Sequence, residues 1–192
     1  MKRLSIIISL VLILSFVLVS TTFAQRSEVR PSLKASVTQR LGKDTDITID
    51  YSRPGVKGRT IWGDLVPYGL APGNSYSDNK PFPWRAGANE NTTIEFSGDI
   101  LIEGNKLPAG KYGIHTIPSE KDWIIIFSKN NSGWGSYKYN KDEDALRVPV
   151  TPVNAPHQEW LIFGFEDLAG TSAVAYLHWE KLKVSFKIEV TD

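Results

Sequence analysis

The 192-residue chain has no cysteine, one methionine and three histidines. Without cysteine there is no disulfide staple, no thiolate nucleophile and no zinc–thiolate site. The histidines, His115, His157 and His178, are far apart and show neither the H-x-H nor the H-x-x-x-H spacing of a metal-binding strand or helix. A metal would have to be gathered by the fold, for instance with Glu90 or Glu159, and neither metal nor cofactor is expected. The G-x-S-x-G elbow and the phosphate-cradling G-x-x-x-x-G-K-[ST] loop are also missing. So is any stretch of ten residues with convincing helical periodicity.

Charge of one sign is lacking as well. The chain carries 22 basic and 21 acidic residues. A nucleic-acid partner would need a basic surplus, and none is expected. The one long apolar run is at the start, "MKRLSIIISLVLILSFVLVSTTFA". Lys2 and Arg3 precede it, and Thr22-Phe23-Ala24 puts small residues where a signal peptidase inspects them. Residues 1–24 are therefore read as a cleaved signal peptide. The mature protein would be periplasmic or extracellular, with no stable membrane anchor. Losing Lys2 and Arg3 leaves 20 basic against 21 acidic residues, a net charge of −1. Residues 25–34 read as a polar lead-in, and 35–192 as one domain, large enough for a sizeable core.

What is present is alternation. "DITIDYS" sets Ile47, Ile49 and Tyr51 against Thr48, Asp50 and Ser52, and "TTIEFS" and "LKVSFKIEV" alternate in the same way. "DWIIIFS" is apolar on both faces, as a central, doubly covered strand should be. "ALRVPV" holds Pro149, which lacks an N–H and so belongs on a sheet edge. Turn signals such as "PSEKD" and "DLAGTS" punctuate the runs. The pattern predicts an all-β fold: one antiparallel β-sandwich, jelly-roll-like, of about nine strands with little helix. One helical turn is expected at Thr60–Val66, anchored by Ile61 and Leu65.

Residues 53–83 form a long Pro- and Gly-rich connection, far beyond ordinary loop length and of a kind often functional. It carries Arg53, Arg59, Trp62 and Asp64, and leads into "PWRAGANENTT" with Trp84, Arg85, Asn89 and Glu90. Guanidinium beside an aromatic face suits flat hydroxylated or anionic ligands. Arg53, Arg59, Trp62, Trp84, Arg85, Asn89 and Trp134 are therefore the candidate ligand-binding residues. The bland alternative is that these arginines and tryptophans pin the loop. His115, which shares a strand face with Gly113, is the candidate general acid–base group. Glu90 and Asp64 are the carboxylates that could work with it. Trp134, between Gly133 and Gly135, is either a ligand platform or a plug.

The segments "DYSRPGVKGRTIWGDLVPYG", "WRAGANENTTIEFS", "LPAGKYGIHTIP", "WIIIFSKN" with "WGSYKYN", and "EDALRV" resemble the secreted bacterial domain-of-unknown-function family 2911, from about Ala35 to Glu189. The resemblance implies an exported all-β protein and carries no assigned activity. Three functions follow as expectations. The first is binding of a small polar molecule, saccharide-like or anionic, in an Arg/Trp-lined cleft. The second is hydrolase or lyase chemistry by His115, Glu90 and Asp64 in that cleft. The third is a structural or envelope-assembly role. The oligomeric state is left open.

Overall fold

The structure is a computed structural model that describes residues 29–191. The signal segment read at 1–24 lies outside the described residues, as do 25–28 of the lead-in. Residues from Pro31 onward form one compact unit.

Ten strands make two antiparallel sheets. They are β1 (Leu33–Leu41), β2 (Thr45–Arg53), β3 (Thr92–Phe96), β4 (Ile100–Ile102), β5 (Asn105–Leu107), β6 (Gly110–Ile117), β7 (Trp123–Ser128), β8 (Asp144–Val150), β9 (Val153–Glu166) and β10 (Ser172–Val190). One sheet runs β1-β2-β3-β6-β7-β8 and the other β5-β4-β10-β9. The chain passes between them after β3, β5 and β8. Helix is confined to single 3-10 turns at Ser75–Ser77 and Lys141–Glu143 among the described residues.

The expected alternation puts one face of each strand in a shared core. Ile47, Ile49 and Tyr51 of β2, Ile94 and Phe96 of β3, and Val184, Phe186 and Ile188 of β10 are all buried. Edge-on rings join the sheets: Tyr51 to Phe163 at 5.0 Å and Phe127 to Phe186 at 5.6 Å. β8, with Pro149, is an edge strand as its missing donor requires.

Four strands differ from the alternation reading. β1 begins at Leu33, inside the stretch read as lead-in. β4 and β5 form a small hairpin where the sequence signals only turns. Its two linking residues, Glu103 and Gly104, have φ of 46° and 76°, the positive pair that suits a tight hairpin. "AVAYLHW" and "LKVSFKIEV" are one strand, β10, because Glu180 at φ 55° forms a bulge that shifts the register and lets the strand continue.

The connection 54–91 is ordered against both sheets. Val56 donates to the Glu159 carbonyl (2.8 Å) and Leu161 to the Pro54 carbonyl (3.0 Å), so residues 54–56 extend the four-stranded sheet beside β9. Further along, Trp84 and Thr116 exchange backbone hydrogen bonds of 2.9 and 2.8 Å beside β6. The helical turn expected at Thr60–Val66 is not a helix. Val66 donates to the Ile61 carbonyl and Gly63 to the Val66 carbonyl, which closes a compact turn. Ile61 and Val66 anchor it in the core, whereas Leu65 is exposed.

Four tryptophans hold this connection. Trp62 packs edge-on against Trp84 (5.7 Å), Trp123 (5.0 Å) and Trp179 (5.8 Å), and Trp84 stacks on Trp179 at 6.0 Å. Trp123 comes from the six-stranded sheet and Trp179 from the four-stranded one, so the cluster ties both sheets to the connection. Trp62 Nε1 is buried without a hydrogen-bond partner among the described residues. That costs about 1–3 kcal/mol, which three ring contacts at about 0.5–1.5 kcal/mol each offset. Trp62→Ala is expected to destabilise the protein by about 3–5 kcal/mol in urea unfolding. It should also loosen the backbone around Lys57 and Arg59, already at the surface, enough for tryptic cleavage there. Unchanged cleavage at those two residues would show that the cluster does not brace the connection.

Candidate functional site

Strand β6 is covered on both faces. Tyr112, Ile114 and Thr116 point to the sandwich core, while Gly113 and His115 face outward under the segment 129–140. That covering is possible because residue 113 is glycine. A Cβ there would lie 2.5 Å from the Asn130 carbonyl oxygen and 3.2 Å from His115 Nε2. Asn91 holds the same segment from the other side. Its N–H donates to the Gly133 carbonyl (3.1 Å) and its Nδ2 to the Ser132 carbonyl (3.1 Å). Asn91 Oδ1 is buried with no hydrogen-bond partner among the described residues.

Between this segment and the sheet is a cavity of about 570 Å³. His115 and Ser128 line it from the strands, and Tyr76, Trp134, Tyr137 and Tyr139 supply rings. His115 is 2% exposed, with Nδ1 2.7 Å from Ser136 Oγ and its ring edge-on to Tyr139 at 5.7 Å. Nε2 makes no hydrogen bond among the described residues. Burial, and then the Arg85 charge, lower the His115 pKa to about 4, so the imidazole is neutral at pH 7. Tyr139 donates to Asp144 Oδ2 (2.6 Å) and accepts from Arg147 Nη2 (2.9 Å). Burial and the Asp144 carboxylate push its phenol up to about 12. His115 and Tyr139 are thus both uncharged near neutrality.

A second cavity, of about 440 Å³, shares Tyr137 with the first. Arg59, Trp84, Arg85 and Asn89 line it together. The Arg85 guanidinium lies over the Tyr137 ring at 4.8 Å and donates from Nη1 to the Asn89 carbonyl (2.5 Å). It also lies against Gly135, where a Cβ would come within 2.1 Å of Cζ. Arg85 and Tyr137 therefore separate the two cavities.

The residues singled out from sequence are distributed as follows. His115 and Trp134 line the first cavity, and Arg59, Trp84, Arg85 and Asn89 line the second. Arg53 donates from Nε to the Leu161 carbonyl (3.0 Å) and binds the connection to β9. Trp62 belongs to the tryptophan cluster. Glu90 lines a separate groove along β1 and β2, and Asp64 is exposed on the turn after Trp62. Hence the three residues grouped as catalytic do not line one cavity. Sequence reasoning missed Asn91, Ser136, Tyr137 and Tyr139. The close spacing of rings in "WGSYKYN" was the available signal for the tyrosines. Among the described residues no group of three or more His, Asp or Glu is placed to hold a metal ion.

The lowered His115 pKa couples the site to stability. The unfolded chain binds a proton near pH 6.5 and the folded one only near 4. The stabilisation is therefore complete above about pH 6.5 and is lost as pH falls toward about 4, on the order of 3 kcal/mol in all. His115→Asn is expected to flatten this slope in denaturant unfolding between pH 7 and pH 4. An unchanged slope would reject it.

Comparison with curated proteins and with solved structures gives no match. The family described as "Protein of unknown function (DUF2911)" matches over residues 32–188. With nearly all of the compact unit matched, the chain belongs to that family.

Proposed function

We propose that the protein is an exported binding protein for a small saccharide-like ligand, held in the cavity between β6 and the segment 129–140. The observation that carries this reading is the buried, neutral His115. Ser136 fixes one ring nitrogen, and the other has no hydrogen-bond partner among the described residues, beside a cavity walled by aromatic rings. A neutral imidazole offers one oriented hydrogen bond and no net charge to desolvate. Aromatic walls pack against the apolar face of a sugar ring, and Asn91, whose Oδ1 is buried without a partner among the described residues, lines the same cavity. The cavity volume of about 570 Å³ falls within the range of about 300–1,000 Å³ usual for small-molecule sites.

Hydrolase or lyase chemistry ranks second. A base with a pKa near 4 has little driving force at neutral pH. Asp64 and Glu90 are also outside the His115 cavity. Export rests on the leader at residues 1–24, and intact-mass analysis of protein secreted by a bacterial host should show a mature N-terminus at Gln25.

Calorimetric titration with a panel of neutral mono- and disaccharides is the direct test. At least one is expected to bind, and Trp134→Ala to weaken it at least tenfold. Trp134 is 55% exposed, so the melting temperature should be nearly unchanged. If no saccharide binds, the structural or envelope-assembly reading takes its place.

A further inference from the structure

The second cavity has a charge problem that the first lacks. Arg59 donates from Nε to the Val56 carbonyl (3.1 Å) and from Nη2 to the Gly55 carbonyl (2.6 Å). Arg85 donates from Nη1 to the Asn89 carbonyl. Among the described residues neither guanidinium forms an ion pair with a carboxylate. Two full positive charges thus line one concavity, held by carbonyl oxygens and, for Arg85, the Tyr137 ring, with donor nitrogens unspent. Asn89 stands on the same wall, where its side-chain amide donates to the Ser32 carbonyl (3.1 Å).

The other walls are apolar. Phe82, Trp84 and Trp179 line the cavity, and the two tryptophans belong to the rigid cluster that braces the connection. The wall bearing Arg85 and Asn89 is backbone-strained. Ala86, fully buried, has φ of 51°, and Asn89 has φ of 61°. Left-handed geometry at a non-glycine residue costs on the order of 1–3 kcal/mol and is kept where the surroundings demand it. Here it turns the chain so that Arg85 and Asn89 flank the buried Ala86 at the cavity wall.

We infer that this cavity is a second ligand site, distinct from the saccharide cavity, and that it takes a small carboxylate with an aromatic or aliphatic body. The carboxylate meets Arg59 and Arg85, which match its charge and its paired oxygens. The body packs on Phe82, Trp84 and Trp179. The assignment does not rest on the saccharide reading, because the two sites use different side chains apart from the shared wall at Tyr137 and Arg85.

The test uses 3-phenylpropionate and octanoate, each beside its alcohol, 3-phenylpropan-1-ol and octan-1-ol. Tryptophan fluorescence is followed at neutral pH. Each carboxylate is expected to bind at least tenfold more tightly than its alcohol and to lose affinity as salt rises. Arg59→Gln should abolish that preference with the melting temperature held, since Arg59 is on the surface. Trp134→Ala, which removes a wall of the other cavity, should leave it intact. Carboxylate and alcohol binding equally would overturn the assignment. So would no carboxylate binding below about 10 mM, or a preference that survives both Arg59→Gln and Arg85→Gln. Saccharide binding without carboxylate binding rejects this site alone, and the reverse rejects only the saccharide reading.

Discussion

The packing of four indoles is the constraint from which the rest of the architecture follows. Trp123 and Trp179 are contributed by opposite sheets, and Trp62 and Trp84 by the connection between β2 and β3. A connection as long as 54–91 pays a large ordering entropy. It can stay in place only by burying large rings and pairing its backbone, and it does both. Once Trp84 is held beside β6, Arg85 is carried to Tyr137, and Asn91 meets the segment 130–133 just before β3 begins. The cavity walls thus descend from the cluster, although the cluster itself carries no chemistry.

The two cavities differ in electrostatic character across a single partition. On one side, burial and hydrogen bonding keep His115 and Tyr139 uncharged, and the Lys138 charge is balanced by Asp78 at 2.7 Å. On the other, two arginines hold their charge against carbonyl oxygens and the Tyr137 ring, with no carboxylate partner among the described residues. Arg85 affects both, since its charge helps keep His115 deprotonated while its own side chain lines the second cavity. The two cavities therefore present different surfaces within one domain.

Much of the sandwich was legible because period-two alternation reports directly which face is covered. Ile47, Ile49, Phe186 and Ile188 are where alternation puts them, and Pro149 marks an edge. β1 was missed although Ala35, Val37 and Leu41 fall on one face, because Gln39 interrupts their alternation and the face is only half covered. The β4–β5 hairpin is too short to show a period. The two runs of β10 were read apart, because the bulge at Glu180 interrupts the alternation that would have joined them. The site was legible by composition and not by grouping. The arginines and tryptophans of 53–90 stood out, but which of them brace and which line a cavity depends on partners distant in sequence. Arg53 meets Leu161, and Trp62 meets Trp123 and Trp179. Ser136 had no local signal, because its importance comes wholly from meeting His115.

The short run 54–56 beside β9 also bears on how copies of this protein meet one another. A sandwich has open rims where backbone donors and acceptors can template a neighbour, and long, flat rims invite stacking. Residues 54–56 occupy part of the β9 rim, while Pro149 removes a donor from β8. On β1 the rim residues include Lys34, Gln39 and Arg40, with Arg40 in an ion pair with Asp46. Strand-to-strand templating is hindered in a different way at each of these three rims.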